Sequence, residues 1–424
     1  MAQQMNISGA QAAPVSAGGR VVALVVSLFF AWGFATVLID TLIPKLKGLF
    51  QLNYAEAMLT QFAFFLGYLV FSIPASLLLA RIGYFRQIVV GLGVMALGCL
   101  MFAPAAQLGI YPAFLLALFV MAAGITTLQV AANPLIALLG TAETSHSRLN
   151  LAQAFNSLGT TVGPLFGAAL ILKGGVEHPD AAKLAPEVLE AYRKAEAHAV
   201  QAPFVGIAAA LLLLALVFWF LRRSAAAPSA AQQGAAFKLS LLRRPRLALG
   251  AVSIFVYVGA EVSIGSLLVS YLMQEKTLGV VAATAGQLVA LYWGGAMVGR
   301  FIGSAVMRKV PAGLVLAACA VGAGLLACLS AGTVGLVSAV AVLAIGLCNS
   351  VMFPTIFTLA IEGLGEDTPQ GSGLLCLAIV GGAVVPVITG MVADRAGLSV
   401  ALLAPALCYV WIAIYGVISR RSPA

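Results

Sequence analysis

Apolar runs of twenty or more residues recur from one end of this 424-residue chain to the other, and they constrain its fold more than any other feature. A helix crosses the hydrocarbon core of a bilayer with about 20 apolar residues. Barrel strands are shorter and alternate apolar with polar residues, so helices are the expected structure. The sequence therefore predicts an all-α polytopic membrane protein. Twelve transmembrane helices are predicted, near 21–43, 56–80, 87–105, 111–139, 149–172, 203–223, 247–273, 283–307, 312–330, 334–361, 370–394 and 398–419.

Composition excludes several other classes of protein. Only 9% of the residues are charged and 62% are hydrophobic, whereas soluble domains carry about 25% charged residues. The formal charge of +9 comes from basic residues at the edges of apolar runs, so it orients the chain in a membrane and predicts no nucleic-acid partner. The six cysteines lie in apolar runs without a CxxC pair, and we expect neither disulfides nor a metal site.

The distribution of Lys and Arg predicts the orientation. With both termini in the cytoplasm, fifteen of the 23 basic residues fall on the cytoplasmic side, as the positive-inside rule requires. Residues 224–246 are rich in Ala, Ser, Pro and Gln and then become basic, which is typical of a linker. We therefore predict five segments: a cytoplasmic tail at 1–20, a six-helix bundle at 21–223, a cytoplasmic linker at 224–246, a second bundle at 247–419 and a tail at 420–424.

The two predicted bundles resemble each other. The stretch NPLIALLG…GTTVGP ends at Pro164, and FPTIFTLAIEGLG…GGAVVP ends at Pro386. Two parallel repeats imply a pseudo-two-fold axis along the membrane normal and a ligand site between the halves near mid-membrane. GxxxGxxxG patterns at 159–167 and 295–303 allow close helix contact. They indicate either ordinary packing within one half or the surface where the halves move against each other.

Two carboxylates fall inside predicted helices, where an ionised group costs about 2.5–3.5 kcal/mol at the bilayer centre. Asp40 lies late in the first predicted helix and Glu261 in the middle of the seventh, which is its counterpart in the second half. We predict that they are the ion-coupling residues, loading and releasing a proton or holding a small cation. The alternatives are an exposed helix-end residue for Asp40, and a structural or gating residue for Glu261.

Uncharged polar residues recur at helical spacing in the same segments. Amides carry both donors and acceptors, which suits a neutral polyhydroxylated ligand, although a single amide in a membrane commonly joins two helices. Aromatic rings near them could pack against the apolar face of a sugar ring. The candidates for sugar binding are Gln129, Asn133, Gln153, Asn156, Gln287, Asn349, Trp32, Tyr257, Tyr292 and Trp293.

Enzyme signatures are missing from the sequence. It contains no Walker A motif, so ATP is not the expected energy source, and no HExxH metal motif. The three histidines, His146, His178 and His198, fall in predicted loops and form no catalytic set. We predict that the protein is not an enzyme and needs no cofactor.

Five long motifs cover both halves of the chain beyond about residue 21. They are AWGFATVLIDTLIPKLKGLFQLNYAEAMLTQFAFFLGYLVFSIPASLLLARIGY, LQVAANPLIALLG, SRLNLAQAFNSLGTT, YVGAEVSIGS and MFPTIFTLAIEGLG. Together these motifs resemble the fucose–galactose–glucose:proton symporter family, a branch of the major facilitator superfamily, and within it the bacterial glucose/galactose transporters.

The resemblance implies a major facilitator fold and a sugar symporter that works by alternating access. Asp40 matches a carboxylate that the family links to proton coupling, and Asn156 matches a sugar-contacting asparagine. Three departures stand out. The family's acidic residue in helix 4 is Gln129 here, and the position of Glu261 is a glutamine in the fucose type. The Asn that usually precedes the helix 1 carboxylate is Ile39. The second carboxylate thus lies in helix 7 here instead of helix 4. Because related carriers use sodium, the coupling ion is either a proton or sodium.

We therefore predict a hexose importer, for glucose or galactose, in the bacterial inner membrane, with a proton as the coupling ion. Its expected partners are the hexose and the lipid bilayer, and it is expected to act as a monomer. The alternatives are a sodium-coupled hexose symporter of the same fold, an efflux carrier for another small molecule, and a sugar sensor that does not transport.

Overall fold

The computed structural model describes residues 19–40, 54–108, 110–171, 186–222 and 237–419, and all regular structure in these ranges is helical. Four short 3-10 turns cover 142–144, 239–243, 365–367 and 378–380. The α-helices are α1 (Gly19–Asp40), α2 (Tyr54–Ile82), α3 (Tyr84–Leu108), α4 (Tyr111–Leu138), α5 (Ser145–Ile171), α6 (Pro186–Leu221), α7 (Pro245–Met273), α8 (Ala282–Val306), α9 (Ala312–Gly332), α10 (Gly335–Asn349), α11 (Met352–Ile361), α12 (Thr368–Leu377), α13 (Gly381–Ala396), α14 (Leu398–Ala401) and α15 (Leu403–Ile418).

These helices make twelve crossings, numbered 1–12 in chain order. Ten stretches of the described residues are long and apolar enough to span a bilayer, and α1 contributes a shorter apolar stretch at Val21–Thr36. The 27-residue helix α5 supplies the remaining crossing. The pairs α10–α11, α12–α13 and α14–α15 form crossings 10, 11 and 12. The predicted all-α fold is confirmed.

Crossing 6 departs most from its predicted bounds. The expected helix began near residue 203, whereas α6 begins at Pro186 and is 36 residues long. Proline is favoured in the first helical turn, and the Glu, Ala, Lys and Arg residues that follow are good helix formers. An apolar run reveals only the part of a helix that lies in lipid, so the polar extension was wrongly assigned to a loop.

The same pairs of crossings pack in each half, as the sequence repeat predicts. In the first half, crossing 3 packs on crossings 4 and 6, and crossing 1 packs on crossing 5. In the second half, crossing 9 packs on crossings 10 and 12, and crossing 7 packs on crossing 11. Between the halves, crossing 5 contacts crossing 8 and crossing 11 contacts crossing 2, which is the pairing that a two-fold axis produces.

Described glycines of the two patterns pack against helices of their own half. A Cβ at Gly159 would meet the backbone of α1 at Phe30 and Phe34. A Cβ at Gly299 or Gly303 would meet Ser350 or Val351 in crossing 10. Although α5 and α8 also contact each other across the halves, these glycines face helices of their own bundle. The interpretation as ordinary packing within a half is therefore correct for them.

Crossing 10 is broken, although the sequence predicts one continuous helix over 334–361. The helix α10 ends at Asn349 and α11 begins at Met352, with a turn at Ser350 and Val351. Pro354 lacks the N–H that would bond to the carbonyl of Ser350 four residues earlier, so this carbonyl needs another donor. The break places backbone carbonyls inside the membrane where side chains can reach them.

Candidate functional site

Polar side chains of the two halves form a series of hydrogen bonds that are linked through backbone carbonyls; this series is called the network below. It begins on α4, passes through α5 to α8, reaches the break in crossing 10 and ends on α7. Uncompensated polar groups are costly in a bilayer, so a network of this extent inside the crossings points to a functional role.

In the first half, amides of α4 form pairs with neighbouring helices. The Gln129 Nε2 donates to the Tyr68 hydroxyl at 2.8 Å, and the Gln153 Nε2 donates to the Asn133 Oδ1 at 3.4 Å. All three amides are at least nine-tenths buried. Among the described residues, Gln129 Oε1 and Asn133 Nδ2 have no hydrogen-bond partner. One acceptor and one donor thus remain available for a ligand.

Asn156 and Trp32 lie where α5 meets α1. The Asn156 Nδ2 donates to the backbone carbonyl of Phe29 at 3.0 Å. The helices approach so closely that a Cβ at Gly33 would meet the backbone and side chain of Asn156. Trp32 is buried, with its ring centroid 5.4 Å from that of Phe29. In this conformation one end of Asn156 holds the two helices together.

Arg300, on α8, connects the two halves. Its Nη1 donates to the Ser157 Oγ and, at 3.4 Å, to the backbone carbonyl of Gln153, both on α5. Its Nε donates at 3.1 Å to the carbonyl of Ser350, the group that Pro354 leaves without a helical donor. A guanidinium has five donors in a planar fork, so it can satisfy several backbone carbonyls at once.

Glu261 lies at the other end of the network, on α7, and is partly exposed. It accepts a hydrogen bond of 2.8 Å from the hydroxyl of Tyr257, one turn earlier in the same helix. That hydroxyl is also 3.0 Å from the carbonyl of Asn349, at the end of α10. The Asn349 Nδ2 donates at 2.7 Å to the hydroxyl of Tyr292 on α8. Arg300 acts electrostatically on Glu261.

Four of the predicted residues, Tyr257, Glu261, Tyr292 and Asn349, are therefore brought together in the second half. Gln287 and Trp293 lie outside this cluster. Gln287 is exposed near the start of α8. The ring of Trp293 is 45% exposed and stands edge-on to Tyr292 at a centroid distance of 5.1 Å. Both remain predictions as sugar contacts.

Asp40 is the last residue of α1, and its side chain lies outside what the structure describes. Its predicted role in coupling therefore stays a prediction. Glu261, its counterpart in the second half, lies among the described residues.

Sequence reasoning missed three members of the network: Tyr68, Ser157 and Arg300. Arg300 lies within the span Thr284–Val306 and bonds inward to the carbonyl of Ser350. The sequence contained a signal for Arg300, because burying an unpaired arginine six residues before the end of an apolar run costs free energy. Tyr68 stands in an apolar run without polar neighbours, and nothing in the sequence marks it.

The chain belongs to the Major Facilitator Superfamily, whose family model matches residues 22–377. The protein is therefore a multi-pass membrane transporter and not an enzyme.

Its relatives are similar over nearly the whole chain. It is 50% identical over 395 residues to a glucose/galactose transporter of Brucella abortus, covering 93% of each chain. It is 39% identical over 407 residues to the L-fucose-proton symporter of Escherichia coli K12, covering 93% of this chain and 91% of that one. A crystal structure of FucP, in the outward conformation, superimposes with a TM-score of 0.87 at 35% identity, covering 95% of this chain and 99% of that chain.

Proposed function

We propose that this transporter imports a neutral hexose, glucose or galactose, together with a proton. It acts as a monomer in the bacterial inner membrane and has both termini in the cytoplasm. The hexose and the lipid bilayer are its partners. The two halves rock against each other and expose the site to one side of the membrane at a time.

The polar network between the halves is the observation that carries this proposal. Amides and hydroxyls bond well to sugar hydroxyls, which are both donors and acceptors. Gln129 and Asn133 each present one buried polar atom that has no partner among the described residues. A bound sugar would satisfy both atoms. The name of the Brucella relative, a glucose/galactose transporter, supports the same class of substrate.

Coupling to a proton needs a carboxylate whose protonation changes the affinity for sugar, and linkage makes this dependence reciprocal. Glu261 is placed for this role because it is partly exposed and belongs to the network. We propose Asp40 as the second coupling residue. The Escherichia relative is named a proton symporter, which favours the proton over sodium.

The contacts between the halves indicate which side is closed. The Ser147 Oγ donates to the carbonyl of Ser304 at 2.7 Å, and the Ser372 Oγ donates to the carbonyl of Val130 at 2.8 Å. His146 contacts Thr358 near the same end. In the proposed orientation this end is cytoplasmic, so the conformation faces outward, as in the FucP crystal structure.

The test is uptake of a panel of hexoses by purified protein in proteoliposomes, with proton and sodium gradients imposed separately. We expect uphill uptake of glucose or galactose that a proton gradient drives and that a protonophore abolishes. Asp40→Asn should remove this accumulation but leave sugar exchange intact. Uptake that is driven only by the sodium gradient would identify sodium, and not the proton, as the coupling ion. Sugar binding without flux would indicate a sensor, and no sugar-induced thermal stabilisation would favour an efflux carrier.

A further inference from the structure

The hydroxyl of Tyr257 has one hydrogen and two acceptors. The Glu261 Oε1 lies 2.8 Å away and the backbone carbonyl of Asn349 lies 3.0 Å away. Tyr257 is completely buried, so water does not donate a second hydrogen here, and the two acceptors share the hydrogen of its hydroxyl. Which acceptor receives the hydrogen therefore depends on the state of the carboxyl group.

An ionised Glu261 attracts the phenolic hydrogen, because a hydrogen bond to a charged group is about twice as strong as one between neutral groups. The Asn349 carbonyl then loses this donor. A protonated Glu261 reverses the direction: its own O–H donates to the Tyr257 oxygen, and Tyr257 donates to Asn349. All three groups are satisfied together only when the carboxyl carries a proton.

The carbonyl that gains or loses the bond is the last of α10, directly before the break in crossing 10. The adjacent carbonyl, at Ser350, is held by Arg300, which also bonds to Ser157 in the other half. The end of α10 is thus connected to Glu261 through Tyr257 and to the first half through Arg300. Loss of either hydrogen bond removes one of the contacts that stabilise the backbone at the break.

Other titratable groups around Glu261 come from helices that pack on α7. Arg300 and Tyr292 on α8 and Tyr409 on α15 interact with it electrostatically. These groups, with Tyr257, are those that face Glu261 from the part of the chain that the structure describes. Among the described residues, only Tyr257 joins the carboxyl to the backbone of crossing 10.

We propose that Tyr257 is a positioning residue that transmits the protonation state of Glu261 to the break in crossing 10. When Glu261 is protonated, the hydroxyl bonds to Asn349 and fixes the end of α10, which orders the Asn349 amide towards the sugar site. When Glu261 is ionised, this bond is lost and the sugar binds more weakly. This inference rests on the proposed proton symport and names the link between the proton and the sugar.

Tyr257→Phe is the direct test, because it removes the hydroxyl and keeps the ring. We measure sugar affinity of the purified protein from acidic to alkaline pH. In the wild type, affinity should rise by about tenfold as Glu261 becomes protonated, the factor expected for one hydrogen bond. In Tyr257→Phe the affinity should stay at the weak value at every pH. Combining it with Glu261→Gln should add no further change in the pH profile, because both act through one link.

Tyr271→Phe is the matched control. Tyr271 lies on the same helix, is buried, and donates at 2.8 Å to the carbonyl of Ser330 on α9, and among the described residues its hydroxyl bonds to Ser330 and Ser338 and to no carboxylate. The Tyr271→Phe variant should lose thermal stability, but its sugar affinity should depend on pH as in the wild type. A wild-type pH profile in Tyr257→Phe, with an altered profile in Glu261→Gln, would overturn the link and leave proton symport standing. Absence of proton-driven uptake by the wild type would overturn both.

A second measurement keeps the test decisive if Tyr257→Phe does not fold. Hydrogen–deuterium exchange over 347–354, expressed as protection factors relative to the base-catalysed intrinsic rate at each pH, should show greater protection at acidic than at alkaline pH in the wild type, since protonation fixes the end of α10. In Glu261→Gln this difference should vanish. Protection factors in the wild type that do not change with pH would contradict the proposal.

Discussion

The two halves contribute different chemistry to one network. The first half offers amides: Gln129, Asn133 and Gln153 are neutral, buried, and leave two polar atoms without partners among the described residues. The second half offers the charged groups, Glu261 and Arg300, together with buried tyrosines. Neutral amides can bind a sugar but cannot hold a proton at physiological pH, whereas a carboxylate can.

This difference indicates a division of labour among these groups: the amides of the first half recognise the ligand, and Glu261 couples it to an ion together with Asp40, the coupling residue proposed in the first half. A symmetric fold allows the division because both halves keep the same helix packing while their polar residues differ. Gln129 illustrates it, since the family resemblance places an acidic residue at this position in the fucose type. Substituting the first-half amides should therefore change sugar affinity and spare coupling, whereas substituting Glu261 should remove coupling.

The largest expected effect comes from Glu261→Gln, which keeps the shape of the side chain and removes its charge. A gradient of about 100 mV supplies about 2.3 kcal/mol per proton, enough for about fiftyfold accumulation of sugar. The variant should lose this accumulation and retain sugar exchange across proteoliposomes at equal concentrations. Glu366→Gln is the control, because Glu366 is an exposed loop residue. Fiftyfold accumulation by Glu261→Gln would remove this residue from coupling.

Arg300→Gln should have the next largest effect, on the conformational equilibrium. It removes the bonds to Ser157 and Gln153 that hold the halves together at the closed end. Losing about 2 kcal/mol from the closed state would raise the fraction of the open state by about thirtyfold. Distances between spin labels across the proposed cytoplasmic end would show this change. Arg300→Lys keeps the charge without the planar fork, so a full recovery there would show that charge alone matters.

The sequence predicted the helical fold because an apolar run of sufficient length has few alternatives in a bilayer. It could not predict the break in crossing 10, since a proline is tolerated in a membrane helix wherever another side chain takes over the freed carbonyl. Pro354 was visible, but its consequence depended on Arg300, about fifty residues away in sequence and on another helix.

The candidate site was predictable in residue type more than in arrangement. Glu261 and Asn349 stood out because polar groups in apolar runs are costly. Tyr257 was predicted as a ring for sugar packing, whereas the structure shows its hydroxyl between a carboxylate and a backbone carbonyl. Such a role depends on which helices meet, and helical spacing within one segment contains no information about that.

Asn133→Ala tests the role of the first half with a smaller effect. The variant removes the unpartnered donor and leaves Gln153 without its acceptor, so sugar affinity should fall by about tenfold. The dependence of affinity on pH should keep its wild-type shape. Isothermal titration with glucose or galactose measures both.

Gln87→Ala is the matched control for Asn133→Ala. Gln87 is also a buried amide of the first half, but its Nε2 bonds to the backbone carbonyls of Ala75 and Thr127. Its loss should lower thermal stability and leave sugar affinity unchanged. Equal losses of affinity in the two variants would show that Asn133 acts through stability alone.

The smallest effect is expected at His146, which lies in the first turn of α5, before the apolar run that begins at Leu149. Its Nδ1 is 2.5 Å from the Thr358 Oγ1, which belongs to the other half. Burial, followed by the nearby charge of Arg148, lowers the pKa of His146 from 6.5 to about 4 in this closed conformation. When the halves separate here, water reaches the ring and its pKa should return towards 6.5.

A lowered pKa means that neutral His146 stabilises the closed end, fully above about pH 6.5 and progressively less as the pH falls towards about 4. Acidification on this side alone, from about pH 7.5 to about pH 6, should therefore raise the open fraction by about fourfold. The spin-label distances used for Arg300 measure it. His146→Gln keeps a polar side chain that cannot titrate in this range, so it should open equally at both pH values. If its response to pH equals that of the wild type, the opening depends on another group.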